Sequence, residues 1–550
     1  MNLKKVSDLY WMFSPRLFIA SIILGVLSGI FYSLLVPLIM YSLNYRSGFS
    51  EVFESFNVVE IDKNIPYFYF SICIFIIFFK WSANTLSHSI AGNSAFKLKI
   101  DLYGRISSLP YLKLEQIGQA KLINLLNVDI PNLAAASLHL PAVWINSITI
   151  IATLSFLLYL NYEIFIFVMI CLLIAIFTYQ LPIKAGIRSL VKSRSYYDPV
   201  QKGVAGLILG AKELKLNARR SESYVSDEIV PYDKEILENH FKGVTYISFA
   251  ETYGEIIAFL VIGVVIFYFS FISINDKDQL FGIVIALIYL TGPVGSILNA
   301  LRNYKIGKVS LQKLLEFNVN FEEEVIHPGQ HKYQDFKSII FRGVCFKYPS
   351  AEGFSLKDIS LKLNRGEIVI ISGGNGSGKS TLSKIVTLHY PPTSGEILID
   401  GLNVYGANLN DARNLISAIY SDFYTFPTLQ NGFDLKVINN HLNRLGLAGK
   451  ISITDNRFNT TLLSDGQQKR LALLSLLLED RPVCVFDEWA SDQDPHFRRV
   501  FYTEILPELK AKNKIVIVIS HDDKYFDCAD KLVVMDHGKI VSVKEAQWLD

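Results

Sequence analysis

Long apolar stretches dominate the first part of the chain, whereas short apolar and polar segments alternate in the last part. Each of six stretches before residue 302 is long enough for a helix to cross about 30 Å of hydrocarbon. Six such runs within one region favour membrane-spanning helices over the buried helices of a soluble core. The predicted spans are 17–43, 66–91, 134–160, 162–187, 243–273 and 279–301.

Basic residues between these spans predict the orientation of the chain. They precede the first span and are abundant after the second and fourth spans, but they are scarce near 161–163 and 273–279. Because positively charged loops stay in the cytoplasm, both termini are predicted to lie there. No small-residue cleavage site follows the first span, so we expect it to be retained. Both basic loops are helix-friendly, and we expect the spanning helices to extend beyond the membrane and to be joined by a short crossing helix.

The character of the chain changes after residue 318. Residues 319–336 are polar and acidic and contain a Pro-Gly pair, which is typical of a linker. Beyond them, strands such as EIVIIS (367–372) alternate with helical patterns, which indicates an α/β domain with a largely parallel sheet. The predicted organisation is therefore an α-helical six-span transmembrane domain at 1–318, the linker, and an α/β domain at 337–550.

Composition argues against several functional classes. The formal net charge of +2 disfavours a strongly basic nucleic-acid-binding protein, so no nucleic-acid partner is predicted. The five cysteines lie far apart and form no Cys-x-x-Cys pair, which disfavours a zinc or disulfide framework. Hydrophobic residues make up 51% of the chain and charged residues 19%, which is apolar for a soluble protein.

A phosphate-binding motif follows the strand EIVIIS. The sequence GGNGSGKST at 373–381 fits G-x-x-x-x-G-K-[ST], with Gly373, Gly378, Lys379 and Ser380 at the fixed positions. Glycines let backbone N–H groups turn toward phosphate oxygens, and the helix that follows presents its positive end to the same anion. Lys379 is expected to reach the β- and γ-phosphates of ATP, and Ser380 to bind Mg²⁺. The other candidate ATP contacts of this loop are Asn375, Gly376 and Thr381.

The stretch FDEWASDQDP, at 486–495, contains four carboxylates in ten residues. A charge run is usually a solvated surface, but this one begins at the end of the apolar strand VCVF. An acid at such a strand end holds Mg²⁺ in P-loop enzymes, which makes Asp487 the candidate metal ligand. Glu488 follows directly and is the candidate group that orients or deprotonates the attacking water.

Three further segments resemble motifs of the ABC transporter superfamily. LSDGQQKR at 463–470 resembles the signature LSGGQ, and His521 in VIVISHDD resembles the switch histidine. Tyr348 in FKYPS resembles the aromatic residue that stacks on adenine. With six spans before them, these ordered motifs make the chain similar to an ABC exporter half-transporter with a P-loop nucleotide-binding domain. The resemblance implies an ATPase that works as a homodimer and moves its cargo by alternating access.

The same resemblance assigns expected roles to single residues. ATP and Mg²⁺ would lie between the phosphate-binding loop of one subunit and the signature of the other, where Ser464, Gly466 and Gln467 would contact the nucleotide. Glu488 and His521 would be catalytic. Asp494 resembles the acid of the D-loop and would act across the dimer interface.

Several positions depart from the family pattern. Ser421 aligns with the usual Q-loop glutamine, and the neighbouring Asp422 is an alternative substitute for it. Asp465 replaces a glycine of the signature, and we expect its carboxylate to point away from the γ-phosphate, because like charges repel. Asp492 replaces a small apolar residue and has no predicted role. With these departures and a short helical subdomain, the chain resembles the bacterial exporters of cyclic peptides, lasso peptides and siderophore precursors.

Polar residues within the spans are candidate cargo contacts, because such residues are costly in a membrane. The alternative interpretation is that these residues lie in water-exposed extensions of the helices or form polar pairs between neighbouring helices. The candidates are Lys80, Asn84 and His88 on one face of the second span, Glu251 and Glu255 on the fifth, and Asn146 and Asn299.

The favoured function is ATP-driven export of a peptide-like secondary metabolite across the bacterial inner membrane. Membrane lipids would surround the homodimer. A lipid flippase or general multidrug exporter is the first alternative. An ATP-binding regulatory membrane protein with weak turnover is the second, suggested by Ser421 and Asp465.

Overall fold

The computed structural model describes residues 14–43, 65–269, 277–319, 335–349, 354–405, 409–429 and 432–545, together with Asp8, Glu324 and Tyr333. Most of the predicted linker at 319–336 and the end of the fifth predicted span lie outside these residues. The chain divides into two compact units. Each is continuous in sequence, except that residues 110–113, which interrupt the first unit, belong to the second. The first comprises Met1–Leu109 and Leu114–Glu322, and the second comprises Pro110–Lys113 and Glu323–Asp550.

Helices make up the described part of the first unit. Short π-helical segments, Leu125–Asp129, Tyr224–Ile229 and Val265–Phe269, directly follow α4, α10 and α11. The helices before residue 320 are α1 (Pro15–Leu43), α2 (Ile65–Ser107), α3 (Tyr111–Ile117), α4 (Gln119–Asn124), α5 (Ile130–Leu138), α6 (Leu140–Leu160), α7 (Tyr162–Ser195), α8 (Tyr197–Leu209), α9 (Ala211–Lys215), α10 (Ala218–Ser223), α11 (Val230–Val264) and α12 (Lys277–Val319).

Six helical runs in the described residues are long and apolar enough to cross a membrane, which confirms the predicted six-span architecture. Most extend well beyond the apolar spans predicted from sequence, and short helices occupy both predicted cytoplasmic loops. The runs are Pro15–Met40, Pro66–Ser107, Gln119–Leu160, Tyr162–Leu209, Ala218–Phe269 and Gln279–Phe317.

Small residues and one buried ion pair hold the helices of this unit together. Gly186 on α7 and Gly243 on α11 face each other so closely that a Cβ on Gly186 would lie 2.9 Å from the carbonyl oxygen of Gly243. Such glycines allow helix backbones to approach in a membrane protein. Arg194 on α7 lies 2.6 Å from Asp129, whose side chain is almost completely buried. Removing either partner would leave an uncompensated buried charge.

The second unit combines three sheets with six α-helices in its described residues. Its strands are β1 (Ser338–Lys347), β2 (Ser355–Asn364), β3 (Ile368–Gly373), β4 (Ser394–Ile399), β5 (Leu402–Asn403), β6 (Ile416–Ile419), β7 (Ile453–Thr454), β8 (Arg457–Phe458), β9 (Val483–Asp487), β10 (Ile515–Ile519), β11 (Lys531–Asp536) and β12 (Lys539–Glu545). Its helices are α13 (Lys379–Val386), α14 (Leu409–Arg413), α15 (Leu435–Arg444), α16 (Asp465–Glu479), α17 (Pro495–Val500) and α18 (Leu506–Ala511).

The central sheet has the strand order β12-β11-β3-β10-β9-β6, and only β12 is antiparallel to its neighbour. The strand IVIVI of β10 shows why its sequence is uniformly apolar: Ile515, Ile517 and Ile519 enter one core cluster, whereas Val516 and Val518 enter the other. Both faces of a parallel sheet are normally buried in this way. The structure therefore confirms the predicted α/β domain with a largely parallel sheet.

A second, antiparallel sheet with the order β2-β1-β4-β5 was not predicted. Its strands SIIFRGVCFK and SLKDISLKLN alternate apolar and polar residues, and this alternation was the available signal. The short segment after Ser421 contains the helix α15 and the β7–β8 hairpin in its described part.

Candidate nucleotide site and membrane cavity

The phosphate-binding loop, residues 373–378, connects β3 to α13. Gly376 and Gly378 have φ angles of +77° and +104°, which L side chains rarely adopt. A Cβ on Gly378 would also lie 2.7 Å from the Leu356 side chain. Glycine is thus required at this position both for the backbone turn and for space.

Lys379 begins α13 and is buried, with a side chain that folds back over the loop. Its Nζ donates to the carbonyl oxygens of Gly373 and Gly374 at 2.9 and 3.0 Å. The ammonium group therefore lies inside the loop, where an anion held by the backbone N–H groups would meet it. Asn375 and Ser380 are exposed on the same segment.

Tyr348, the candidate adenine-stacking residue, follows β1 and lies beside the first turn of α13. Its hydroxyl group lies 3.0 Å from Oγ1 of Thr381, and its ring packs edge-on against Phe346 and Tyr390. The structure thus brings Tyr348 and the phosphate-binding segment together, although they are distant in sequence.

Asp487 ends β9 and is almost completely buried. Burial, together with the charges of Glu488 and Asp422, raises the pKa of its carboxyl group to about 6. Its Oδ1 atom is buried without a hydrogen-bond partner among the described residues. A carboxylate with a free oxygen and the exposed hydroxyl of Ser380 are hard oxygen donors of the kind that Mg²⁺ prefers, so these residues fit that ion.

Glu488 has φ 51° and ψ 33°, a left-handed conformation that is costly for a residue with a Cβ. Its N–H donates to the carbonyl oxygen of Ile519 at 3.0 Å, and its carboxylate lies 3.5 Å from Nε2 of His521. Both predicted catalytic side chains therefore meet at the carboxyl edge of the central sheet. Both are also partly exposed, so a substrate can reach them.

The two Q-loop candidates follow β6 and are both exposed. Asp422 is close enough to Asp487 to raise the pKa of that group, so its charge reaches the predicted metal ligand. In the described part of the chain, no corresponding interaction between Ser421 and Asp487 is found.

The signature segment, residues 463–470, leads into α16, with Ser464 as the residue before the helix. Ser464 and Asp465 are exposed, whereas Gly466 packs so closely that a Cβ there would lie 2.9 Å from the carbonyl oxygen of Asp492. Gly466 also accepts a hydrogen bond of 3.0 Å from Nε2 of Gln493. Gln467, beside it, is half-buried.

Sequence reasoning missed two basic residues that bind the stretch FDEWASDQDP within the same chain. Lys469 on α16 pairs with Asp492 at 2.6 Å, and Arg470 pairs with Asp494. Asp494 also accepts a hydrogen bond from the Phe497 N–H and so caps α17. The available signal was that Lys469 lies on the same helical face as the buried Leu473 and Leu476, four and seven residues further on.

The cargo candidates fall into different environments. Lys80, Asn84 and His88 are exposed along α2, and Lys80 Nζ lies 3.4 Å from the Tyr32 hydroxyl. Asn146 donates hydrogen bonds to the Ala142 carbonyl oxygen and, at 3.0 Å, to the Ser296 hydroxyl. These bonds favour a helix-pairing role for Asn146.

Glu251, Glu255 and Asn299 instead line one cavity of about 250 Å³ between α7, α11 and α12. Most of its other lining residues are apolar. Glu251 pairs with Arg302 at 2.7 Å, whereas Glu255 is exposed and has no ion-pair partner among the residues described. Among the described residues, the cavity thus carries one carboxylate without an ion-pair partner.

Comparisons with known proteins agree with this arrangement. The profile of the ABC transporter family matches residues 356–491. The chain is 29% identical to the ATP-binding protein SyrD of Pseudomonas syringae pv. syringae, with 98% of this chain and 96% of that protein covered. It is 24% identical to the ATP-dependent lipid A-core flippase of Pectobacterium atrosepticum, with coverage of 82% and 80%.

The fold also matches a solved structure. A bacterial Atm1-family ABC exporter with ATP bound superimposes with a TM-score of 0.78 at 16% identity, over 97% of this chain and 95% of that one. Six apolar helical runs, a nucleotide-binding domain and motifs in the family order therefore coincide in one chain. Residues 356–491 therefore form the ATPase domain of an ABC transporter, and the chain as a whole is a multi-pass membrane protein with the fold of an ABC exporter.

Proposed function

We propose that the chain exports a peptide-like secondary metabolite, such as a cyclic peptide, a lasso peptide or a siderophore precursor, across the bacterial inner membrane. The observation that carries this proposal is the cavity lined by Glu251, Glu255 and Asn299, which combines apolar walls with few polar groups. Ligand sites commonly have this composition. Similarity to the ATP-binding protein SyrD over nearly the whole chain supports an activity that depends on ATP.

The proposed hydrolysis follows from the residues at the edge of the central sheet. Lys379 binds the β- and γ-phosphates of ATP, and the N-terminus of α13 faces the same anion. Ser380 and Asp487 would hold Mg²⁺, which would neutralise charge on the phosphates when bound. Glu488 receives the proton of the attacking water, and His521 orients the Glu488 carboxylate from 3.5 Å away.

The proposed active form is a homodimer in the inner membrane with both termini in the cytoplasm. Ser464 and Asp465 are exposed at the start of α16, so the signature is open to a second subunit. The basic loops after the second and fourth spans support the orientation. ATP binds between two subunits in this arrangement, and its hydrolysis alternates the side of the membrane to which the cavity is open.

The charge of the cavity narrows the proposed cargo. Glu251 is neutralised by Arg302, whereas Glu255 is not neutralised among the described residues. A carboxylate beside apolar walls is stabilised by a cation. The preferred cargo therefore carries a basic group beside an apolar surface, and a cavity of about 250 Å³ would hold one part of it.

The test uses the full chain reconstituted in lipid vesicles with a cationic cyclic peptide as probe. We expect the peptide to stimulate ATP hydrolysis, and its amine-acetylated analogue to stimulate much less. Glu255→Gln is expected to remove this preference and to leave basal hydrolysis unchanged. Asn146→Ala is the control, because Asn146 lies outside the cavity lining. Stimulation by lipid alone, with none by either peptide, would contradict peptide export.

A lipid flippase is the second candidate, because a relative that covers 82% of the chain carries that name. The same vesicles distinguish it. Stimulation that follows the lipid composition and is unaffected by Glu255→Gln would favour the flippase.

A further inference from the structure

Lys469 is a buried lysine whose three N–H donors all have partners within the same subunit. Its side chain is only 3% exposed. Nζ lies 2.9 Å from the Glu488 carbonyl oxygen, 3.3 Å from the Ser491 hydroxyl and 2.6 Å from a carboxylate oxygen of Asp492. An ammonium group has three donors, so its hydrogen-bonding capacity is fully used.

The first of these contacts is made to the backbone of the candidate catalytic residue. Glu488 has a left-handed backbone, which costs roughly 1–2 kcal/mol and needs support from its surroundings. Its N–H is held by Ile519 on β10, and its carbonyl oxygen is held by Lys469 on α16. With both ends of the residue fixed, the Glu488 side chain is directed toward His521.

Asp492 supplies the charge that a buried lysine requires. An unpaired ammonium group in the interior is strongly destabilising, whereas a paired one with further hydrogen bonds is tolerated. The Asp492 side chain is 53% exposed and forms the outer wall of this contact. This pairing gives a physical role to the one carboxylate of FDEWASDQDP that the sequence left unexplained.

The neighbouring contacts connect the same two segments. The indole N–H of Trp489 donates to the Lys469 carbonyl oxygen at 2.8 Å, and Gln493 donates to Gly466. The start of the signature helix α16 and the turn that carries Glu488 are therefore bonded at several points. Displacement of one segment must move or strain the other.

We propose that Lys469, with Asp492 as its counter-ion, is a positioning residue for ATP hydrolysis: it fixes the backbone of Glu488 to the signature helix. This inference rests on the proposed catalytic role of Glu488. In the proposed dimer, the signature of a subunit serves one ATP site while its Glu488 serves the other. Lys469 thereby connects the two sites through a single subunit.

Lys514 provides a matched control, because it has the same chemistry at the opposite end of the sheet. It is also buried, donates to a backbone carbonyl oxygen (Arg481, 2.7 Å) and pairs with an aspartate (Asp480, 2.6 Å). It precedes β10, whereas Glu488 bonds to the last residue of that strand. The loss of stability caused by removing a buried ion pair should thus be similar in Lys469→Met and Lys514→Met.

The experiment measures kcat and KM for ATP, ATP affinity and thermal stability of the full-length chain in lipid. Lys469→Met is expected to lower kcat about 100-fold with less than about a threefold change in KM, since small misplacements of a reacting group have effects of this size. Lys514→Met should lose similar stability and keep kcat within about twofold of the unmodified protein. Asp492→Asn, which keeps Lys469, should lower kcat by an intermediate factor of about 10.

The outcomes separate this inference from the proposed function. If Lys469→Met and Lys514→Met have the same kcat while Glu488→Gln is inactive, the positioning role is refuted and the catalytic role stands. If Glu488→Gln retains full turnover, the catalytic role fails, and the positioning role fails with it. If Lys469→Met does not fold, the comparison of Asp492→Asn with Lys514→Met decides, and equal kcat values refute the inference.

Discussion

The carboxylate of Glu488 lies 3.5 Å from Nε2 of His521, at the ends of two neighbouring parallel strands. The distance is set by the sheet, because Asp487 on β9 is paired with Ile519 on β10 and each catalytic candidate follows within two residues. The two side chains are partly exposed at the same edge at which the phosphate-binding loop begins after β3. The proposed base, its proposed orienting imidazole and the predicted phosphate-binding loop thus share one edge of one sheet.

Glu488→Gln is expected to reduce ATP hydrolysis by at least about 100-fold, because an amide cannot accept the proton of the attacking water. ATP affinity should be retained, since the proposed phosphate contacts lie on the phosphate-binding loop and on Lys379. Phosphate release and nucleotide binding measured on the same preparation check both statements. Glu396→Gln is the control, because Glu396 lies on β4 in a solvent-exposed pair with Arg342. Turnover of Glu488→Gln equal to that of Glu396→Gln would refute the assignment.

His521→Ala is expected to lower kcat about 10- to 100-fold while the protein still binds ATP, because the Glu488 carboxylate loses its orienting neighbour. The matched control is His537→Asn. His537 lies in the turn between β11 and β12, is 94% exposed and has a positive φ angle, which asparagine tolerates. A kcat of His521→Ala equal to that of the control would show that the contact has no catalytic consequence.

Features set by local sequence were predictable. Gly376 and Gly378 adopt positive φ angles within the loop that their spacing had indicated, and the apolar run before Asp487 forms the strand β9. Asp487 could be assigned to the active edge because parallel strands present their carboxyl ends on the same side of a sheet. Six apolar stretches likewise predicted six spanning helices, and the helix-friendly basic loops predicted that these helices extend beyond the apolar spans.

Features that depend on contacts distant in sequence were not predictable. The pairing of Lys469 with Asp492 joins a helix to a turn beyond the next strand, and no local pattern specifies this pairing. Asp494 was expected to act between subunits, whereas the structure gives it two partners in its own chain, Arg470 and the Phe497 N–H. Its action across a dimer interface stays a prediction.

The raised pKa of Asp487 indicates that its ionised form, which is the form that would bind Mg²⁺, destabilises the folded protein. The folded-state pKa of about 6 exceeds the usual 3.8, so this group contributes stability below pH 3.8 that is lost as the pH rises through 6. The difference of roughly two units corresponds to about 3 kcal/mol. Without Mg²⁺ and ATP, Asp487→Asn is therefore expected to be more stable than the unmodified protein above pH 7, and equally stable near pH 4.

The measurement for Asp487→Asn is the melting temperature across this pH range, with Mg²⁺-dependent hydrolysis measured in parallel. Hydrolysis should be lost, because an amide is a weak ligand for Mg²⁺. Asp536→Asn is the control, since Asp536 is exposed and should show no such difference. A melting temperature of Asp487→Asn that follows the unmodified protein at every pH would mean that burial of this charge has no energetic cost.

Trp489 carries the last prediction, because it is completely buried directly after Glu488. Its ring lies 4.4 Å from that of Phe501, and its indole N–H bonds to the Lys469 carbonyl oxygen. Trp489→Ala leaves a large cavity and should cost about 3–5 kcal/mol, which lowers by roughly 10 °C the temperature at which ATP binding is lost. Trp489→Phe fills most of the space but loses the hydrogen bond, so it should cost only about 1 kcal/mol and lower kcat more than ATP affinity.

The control is Phe426→Ala, at a residue 68% exposed, which should change neither stability nor kcat. Equal losses of stability and unchanged kcat in both Trp489 variants would show that Trp489 supports the core alone and not the position of Glu488.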